Sequence, residues 1–252
     1  MGAFHAYDIR GLYGSEITPA LAYGVGRLFG EFRKARRVLV AYDARLHSKE
    51  LYDQVIEGLL DAGADVVGLG LSSTPQMHFF QMREKCDAGI MVTASHNPRD
   101  YHGFKLFDAV GGSVSYAKGL DKIEAALPTV AKLEKKKRGA LKPGPSIDAY
   151  IDFLAGLSCG KKFSSRIVID TANGSSGPVF MALAKKLGLD AVFLNSEPDG
   201  RFPNHDPNPL KDESRIQISE AVKSHQADLG VIMDGDGDRI IFVDEKGRAI
   251  EN

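Results

Sequence analysis

Three short stretches of the sequence concentrate side chains that can do chemistry. The first is Met91-Val92-Thr93-Ala94-Ser95-His96-Asn97-Pro98, where an apolar run gives way to small and polar residues and then a proline. A serine hydroxyl is a weak nucleophile that needs a base or a metal to activate it. Ser95 has His96 beside it and, ten residues on, the lysine of Gly103-Phe104-Lys105. The same residues could instead close a turn, with Ser95 and Asn97 satisfying backbone groups, and taken alone that is the commoner use of them. The second stretch, Met233-Asp234-Gly235-Asp236-Gly237-Asp238-Arg239, places three carboxylates within five residues. Alternation directs all three to one side, the glycines permit backbone angles that gather their oxygens, and hard oxygen donors suit Mg2+ better than zinc or copper. An Asp-Gly hairpin turn would use similar residues, but it gains nothing from three charges that repel one another, so the spacing favours a metal loop. A calcium EF-hand loop beginning at Asp234 is rejected: its sixth position, which needs glycine, is Arg239, and Ile240-Ile241-Phe242-Val243 reads as a strand. The third stretch, Ala6-Tyr7-Asp8-Ile9-Arg10-Gly11, offers a phenol, a carboxylate and a guanidinium. Arginine's planar fork suits phosphate or carboxylate, although a salt-bridged surface turn is the plainer use of it here.

The surrounding pattern says what must position these groups. Thr18-Pro19 supplies a capping hydroxyl and a first-turn proline ahead of Leu21, Val25, Leu28, Phe29 and Phe32, which form one helical stripe. The β-branched run 37–43 predicts a strand covered on both faces. A helix over 48–62, a strand over 65–71, a helix after Thr74-Pro75 and a strand over 88–94 follow. This alternation predicts a largely parallel sheet with helices packed on its faces, and ligands then bind at the carboxyl ends of the strands, where the Ser95 stretch begins. From Leu127 to Pro145 the character changes, and Glu134-Lys135-Lys136-Lys137-Arg138 with Lys142-Pro143-Gly144-Pro145 reads as a solvated helix end and a linker. Without interleaved aromatics the basic run is a solvated face and not a nucleic-acid patch. Strands over 166–170, 191–195 and 228–233, with helices over 177–187 and 212–224, predict a second α/β unit. No repeat by residue identity relates the halves.

Composition bounds the partners. The chain has 252 residues and a formal net charge of −1, so no overall field draws it to nucleic acid or an anionic membrane, and a small-molecule partner is expected. Two cysteines far apart, Cys86 and Cys159, indicate neither a disulfide framework nor a zinc site. No apolar run approaches the roughly 20 residues that cross a bilayer, and the amino terminus lacks a signal-peptide layout, so the reading is a cytoplasmic protein.

Taken together, the residues resemble the α-D-phosphohexomutases, especially the phosphomannomutase/phosphoglucomutase branch. The resemblance runs through Tyr7-Asp8-Ile9-Arg10-Gly11, Asp43-Ala44-Arg45, Thr93 to Pro98 with Asp100-Tyr101-His102-Gly103-Phe104-Lys105, Asn173-Gly174, Pro198 to His205, and Asp234 to Arg239. It implies two consecutive three-layer α/β/α domains with mixed, mostly parallel sheets: residues 1–144 carry Ser95, residues 145–252 carry the metal loop, and the two meet at the domain interface. It also implies a phosphoserine enzyme. Ser95 would pass its phosphoryl group to a hexose 1- or 6-phosphate, the hexose 1,6-bisphosphate would reorient, and Ser95 would recover the other phosphate. In the family's pattern Asp234, Asp236 and Asp238, with an oxygen of the phosphoserine at Ser95, hold Mg2+. Arg10, Arg239, His96 and Lys105 correspond to phosphate-contacting and acid/base residues, and Tyr7 lies beside the sugar. The sequence departs from the pattern at His47, where a small residue is usual, and at His102, where asparagine is frequent. A third, sugar-selecting domain and a fourth, phosphate-binding domain are expected beyond Glu251-Asn252. Phosphoglucosamine mutase, a metal-dependent phosphosugar phosphatase and a non-catalytic binding module are the alternatives.

Overall fold

A computed structural model of the chain describes residues 2–134 and 136–250; Lys135 of the basic run and the terminal Glu251-Asn252 lie outside the described residues. The chain divides into two compact units. One comprises residues up to Ala94 together with Asp100–Pro145, and the other Ser95–Arg99 together with residues from Ser146 onward.

The first unit contains β1 (Ile9–Leu12), α1 (Pro19–Arg33), β2 (Arg37–Tyr42), α2 (Ser48–Asp61), β3 (Asp65–Leu71), α3 (Thr74–Arg83), β4 (Ala88–Val92), β5 (Tyr101–Phe107), α4 (Leu120–Ala126) and β6 (Leu141–Pro143). Its sheet has the order β1-β5-β4-β2-β3-β6; β4, β2, β3 and β6 pair in parallel, while β5 and β1 pair antiparallel. The local signals act as expected in α1: the Thr18 hydroxyl accepts from the Leu21 amide at 3.1 Å, and Lys34 ends the helix in a left-handed conformation. Val25, Leu28 and Phe29 are buried against α2, α4 and one face of the sheet, whereas Phe32, in the last turn, is 48% exposed. On the sheet, Val38, Val40, Ile90, Val92, Phe104 and Leu106 face this cluster, and α3 packs on β2 and β4.

Part of the stretch expected as a linker is built into this unit. Buried Arg27 binds Glu31 and the Glu134 carbonyl, Lys136 pairs with Glu31, and Arg138 pairs with Glu57 and Asp61 before β6 joins the sheet edge. Two cations of the basic run, Lys136 and Arg138, are therefore matched by acids on α1 and α2.

His47 and His102 pack together around Tyr13. The Tyr13 and His47 rings stack at 3.8 Å, and His102 lies edge-on to both. His102 is fully buried, and among the described residues neither of its ring nitrogens has a hydrogen-bond partner. Burial, reinforced by the charges of Arg45 and His47, pushes its pKa down to about 3 from an ordinary 6.5. The folded ring stays neutral while the unfolded ring takes up a proton below pH 6.5, so stability is lost as pH falls from 6.5 towards 3. The urea midpoint is expected to fall between pH 7 and pH 5, and His102→Phe to shrink that fall.

The second unit contains α5 (Asp148–Gly156), β7 (Arg166–Asp170), α6 (Gly177–Leu187), β8 (Asp190–Leu194), α7 (Asp212–Ser224), β9 (Leu229–Met233) and β10 (Ile240–Val243). The sheet order is β10-β9-β7-β8, parallel except for the β9–β10 hairpin. Helix α7 covers one face through Ile218 and Val222 on Val168 and Ile232, while α5 and α6 pack on each other and α6 reaches β8. Among the described residues no helix is long and apolar enough to cross a membrane.

Candidate active site

The hairpin between β9 and β10 carries the acidic loop. Met233 pairs with Ile240, and the six residues between them turn tightly, with Gly237 at a φ of 72° and its amide donating to the Asp234 carbonyl at 3.1 Å. One oxygen of the Asp234 side chain, Oδ1, accepts from the amides of Asp238 (3.0 Å) and Arg239 (3.1 Å), so the carboxylate itself organises the turn. The loop is a turn and not a strand, with Asp234 and Asp236 fully buried and Asp238 exposed, yet one oxygen or more from each of the three carboxylates lies within 4.8 Å of the others.

That gathering has an electrostatic cost. Burial, and then the charges of Asp236 and Asp238, raise the Asp234 carboxyl to about 8, against the lowering effect of its hydrogen bonds from Ser95 and the Arg239 amide. A buried carboxyl that resists ionisation beside two further carboxylates is the environment a divalent cation relieves, and the donor set fits such an ion.

Ser95 lies against this loop. Its hydroxyl donates to Asp234 Oδ2 at 2.8 Å, and its side chain is buried. Its φ is 53°, in the left-handed region. A non-glycine residue there costs on the order of 1–3 kcal/mol and persists only when its surroundings over-determine it. Part of that determination is backbone packing. A Cβ at Gly235 would sit 2.9 Å from the Ser95 carbonyl oxygen, and one at Gly174 would sit 2.5 Å from the Gly235 carbonyl oxygen. The two glycines let the Ser95 segment, the acidic loop and the turn after β7 stack backbone on backbone. Ser175 completes the stack, donating from both its amide (3.0 Å) and its hydroxyl (3.2 Å) to the Gly235 carbonyl.

The turn after β7 has its own support. Asp170, fully buried at the end of β7, accepts from the Ala172 amide and from Asn195, and faces His205 Nε2 at 3.1 Å. His205 Nδ1 faces the Asp206 carbonyl at 2.8 Å. Burial opposes a charge on this ring, but the hydrogen bond and charge of Asp170 outweigh it and hold the pKa above the ordinary histidine value. Gly174, Ser175, Asp170 and His205 were not singled out from the sequence as site residues; an aspartate closing an apolar strand, followed by an Asn-Gly turn, is the signal that marks them.

The other sequence candidates divide between the units. Arg239 is exposed beside the acidic loop, and His96, next to Ser95, is half-buried, both in the second unit. Tyr7, Arg10 and Lys105 belong to the first. There Arg10 on β1 pairs with Gly103 on β5, which puts it on the same face of the sheet as Lys105 two residues along, and its guanidinium is engaged by Asp8. Tyr7 is 71% exposed.

Comparison with known proteins gives the chain's family. The family model for phosphoglucomutase/phosphomannomutase alpha/beta/alpha domain I matches residues 1–134, and that for domain II matches residues 148–247. The chain is 40% identical to a phosphomannomutase from Escherichia coli, over 98% of this chain and 56% of that protein. It is 34% identical to a phosphoglucomutase from Neisseria gonorrhoeae, over 98% of this chain and 54% of that protein. A crystal structure of a phosphoglucomutase/phosphomannomutase family protein from Burkholderia thailandensis superposes with a TM-score of 0.88 at 34% identity, covering 98% of this chain and 56% of that one. The chain thus spans about half the length of the curated relatives it matches.

Proposed function

The chain belongs to the phosphoglucomutase/phosphomannomutase family, and from that premise we propose that the protein interconverts hexose 1-phosphate and hexose 6-phosphate, of mannose, glucose or both, through a phosphoserine at Ser95. The observation that carries the reading is the Ser95 hydroxyl, held in a left-handed backbone conformation 2.8 Å from a carboxylate of a three-aspartate cluster. A plain turn has no use for that cost; a phosphoryl acceptor needs fixed orientation above all.

In one direction the phosphoserine gives its phosphoryl group to a free hydroxyl of the hexose monophosphate, forming the 1,6-bisphosphate, and the sugar turns end for end. In the other, Ser95 Oγ forms a bond to phosphorus while the bond from phosphorus to the sugar oxygen breaks. Oγ loses its proton and the sugar oxygen gains one, an exchange assigned to the acid/base residues of the site and not to Asp234, whose carboxylate would be given to the metal. Asp234, Asp236 and Asp238 would hold Mg2+, which when bound neutralises charge on the transferring phosphoryl oxygens. Arg10, Arg239, His96 and Lys105 are proposed to bind phosphate and exchange protons with the sugar, with Tyr7 beside it. The further domains of the family's pattern, beyond the matched residues, would select and grip the sugar.

The reading is tested by supplying the complete protein with mannose 1-phosphate or glucose 1-phosphate, Mg2+ and a trace of the 1,6-bisphosphate, and following phosphorus by NMR. Conversion to the 6-phosphate is expected. Release of inorganic phosphate without isomer would identify a phosphatase instead, and no change in either sugar would point to a binding module.

A further inference from the structure

The segment that carries Ser95 leaves and re-enters the first unit through two roots, Thr93-Ala94 on one side and Asp100-Tyr101 on the other. The β4–β5 ladder ends at the pair Val92 with Phe104, and beyond it the Thr93 amide donates to the Gly103 carbonyl at 2.9 Å. On the leaving side the backbone of β1 also holds the root, Leu12 pairing with Tyr101 and the Tyr13 amide donating to the Asp100 carbonyl at 2.9 Å, and buried side chains tie both roots to β2. Asp43, just past the end of β2, is fully buried and accepts hydrogen bonds from the Arg45 amide (3.2 Å) and Ser48 hydroxyl (2.6 Å) on Oδ1, and from Arg45 Nε (3.1 Å) and the Thr93 hydroxyl (2.7 Å) on Oδ2. Arg45, its side chain also fully buried, donates from Nη1 to the Tyr101 carbonyl at 3.0 Å.

We propose that the Asp43–Arg45 pair is a positioning clamp for the nucleophile loop, with the carboxylate fixing the root that enters Ser95 and the guanidinium fixing the root that leaves it. The inference rests on the reading of Ser95 as the phosphoryl carrier. A buried ion pair gains little stability over apolar residues of the same volume, so the burial of both charges is better explained by what the pair holds than by what it stabilises. The chemistry of each partner suits its task. A carboxylate has lone pairs enough for four donors, and only the forked guanidinium can bond Asp43 with one branch and Tyr101 with another. Thr93 is two residues from Ser95, so play at the Asp43 contact passes directly into the backbone that must keep Ser95 at positive φ.

Two variants test this. Thr93→Val keeps the shape of the side chain and removes its hydroxyl, while Thr93→Ser restores the hydroxyl. Arg45→Lys, which keeps a charge beside Asp43 but has no second branch for Tyr101, tests the other root if Thr93→Val fails to fold. In the complete protein two quantities are read: amide hydrogen exchange across residues 94–100, and the rate at which Ser95 takes up phosphoryl from a hexose 1,6-bisphosphate. Thr93→Val and Arg45→Lys are expected to speed exchange in that segment and to slow phosphoryl uptake by about tenfold or more through kcat with KM little changed, as misplacement of a reacting group does. Thr93→Ser should return both to within about twofold of the original. Wild-type exchange and uptake in Thr93→Val and Arg45→Lys, or a Thr93→Ser as impaired as Thr93→Val, would overturn the clamp. If the unaltered protein takes up no phosphoryl group, the reading of Ser95 fails, and the exchange measurement still decides whether the clamp exists.

Discussion

Ser95→Ala is expected to lower conversion of hexose 1-phosphate to hexose 6-phosphate by more than about a thousandfold, the scale on which a covalent nucleophile's loss is felt. The substitution is a clean one on the geometry here. Alanine keeps the Cβ, so the backbone at a φ of 53° is no more strained than before, and the contacts of Gly235 with the Ser95 carbonyl are untouched. What disappears is the hydroxyl and its bond to Asp234 Oδ2. Because that bond lowers the Asp234 pKa, its removal should leave Asp234 somewhat harder to ionise, and metal uptake near neutral pH somewhat weaker. Full activity in Ser95→Ala, measured with the bisphosphate supplied, would mean that the phosphoryl group travels without a serine intermediate.

Asp236→Asn should separate metal binding from stability. The residue is buried and its carboxylate lies within 4.8 Å of its two neighbours, so removing its charge takes away a proposed ligand and a repulsion together. Magnesium affinity, read by calorimetry, is expected to fall tenfold or more, on the order of what the loss of one charged ligand does to such a site. Metal-free stability, read by urea denaturation at pH 8, is expected to rise by on the order of 1 kcal/mol, since like charges at this separation repel measurably even at a high effective dielectric. The pH dependence has a definite sign. With the Asp234 pKa raised to about 8, the folded metal-free protein keeps a proton that the unfolded chain loses above an ordinary 3.8, so metal-free stability declines as pH rises from 3.8 through 8. Metal binding must release that proton below pH 8, so affinity rises with pH up to about that value. In Asp236→Asn both slopes should flatten in part, because one of the charges that raise Asp234 is gone while burial and Asp238 still act on it.

The helices and central strands were legible because their signals are local. Thr18-Pro19 announces α1, and the apolar runs of β2, β4 and β7 can hardly be anything but buried strands. The strands β1 and β5 were not legible. Ile9-Arg10-Gly11-Leu12 and Tyr101-His102-Gly103-Phe104-Lys105 mix charge and glycine into short segments whose strand conformation comes from pairing with each other and, for β5, with β4, a tertiary fact that no window of sequence contains. The acidic loop was legible from charge spacing, but the manner of its closure was not: Asp234 both caps the turn through Oδ1 and receives Ser95 through Oδ2. The left-handed conformation of Ser95 was invisible, since serine is not a residue that advertises it. Asp43 and Arg45 entered the sequence reading only through resemblance; their bonds to Thr93 and Tyr101 span 50 and 56 residues. The contact between His47 and His102 is likewise a matter of packing and not of spacing.

The central claim is that Ser95 carries the phosphoryl group beside the three aspartates. It is tested most directly by incubating the complete protein with Mg2+ and a hexose 1,6-bisphosphate labelled in its phosphates, then digesting it and mapping the label by mass spectrometry. One phosphoryl group per chain, about 80 Da, located on Ser95 and absent from Ser95→Ala, is the expected result. A protein that turns over sugar phosphate with no label on Ser95, or with the label on another residue, would contradict the account.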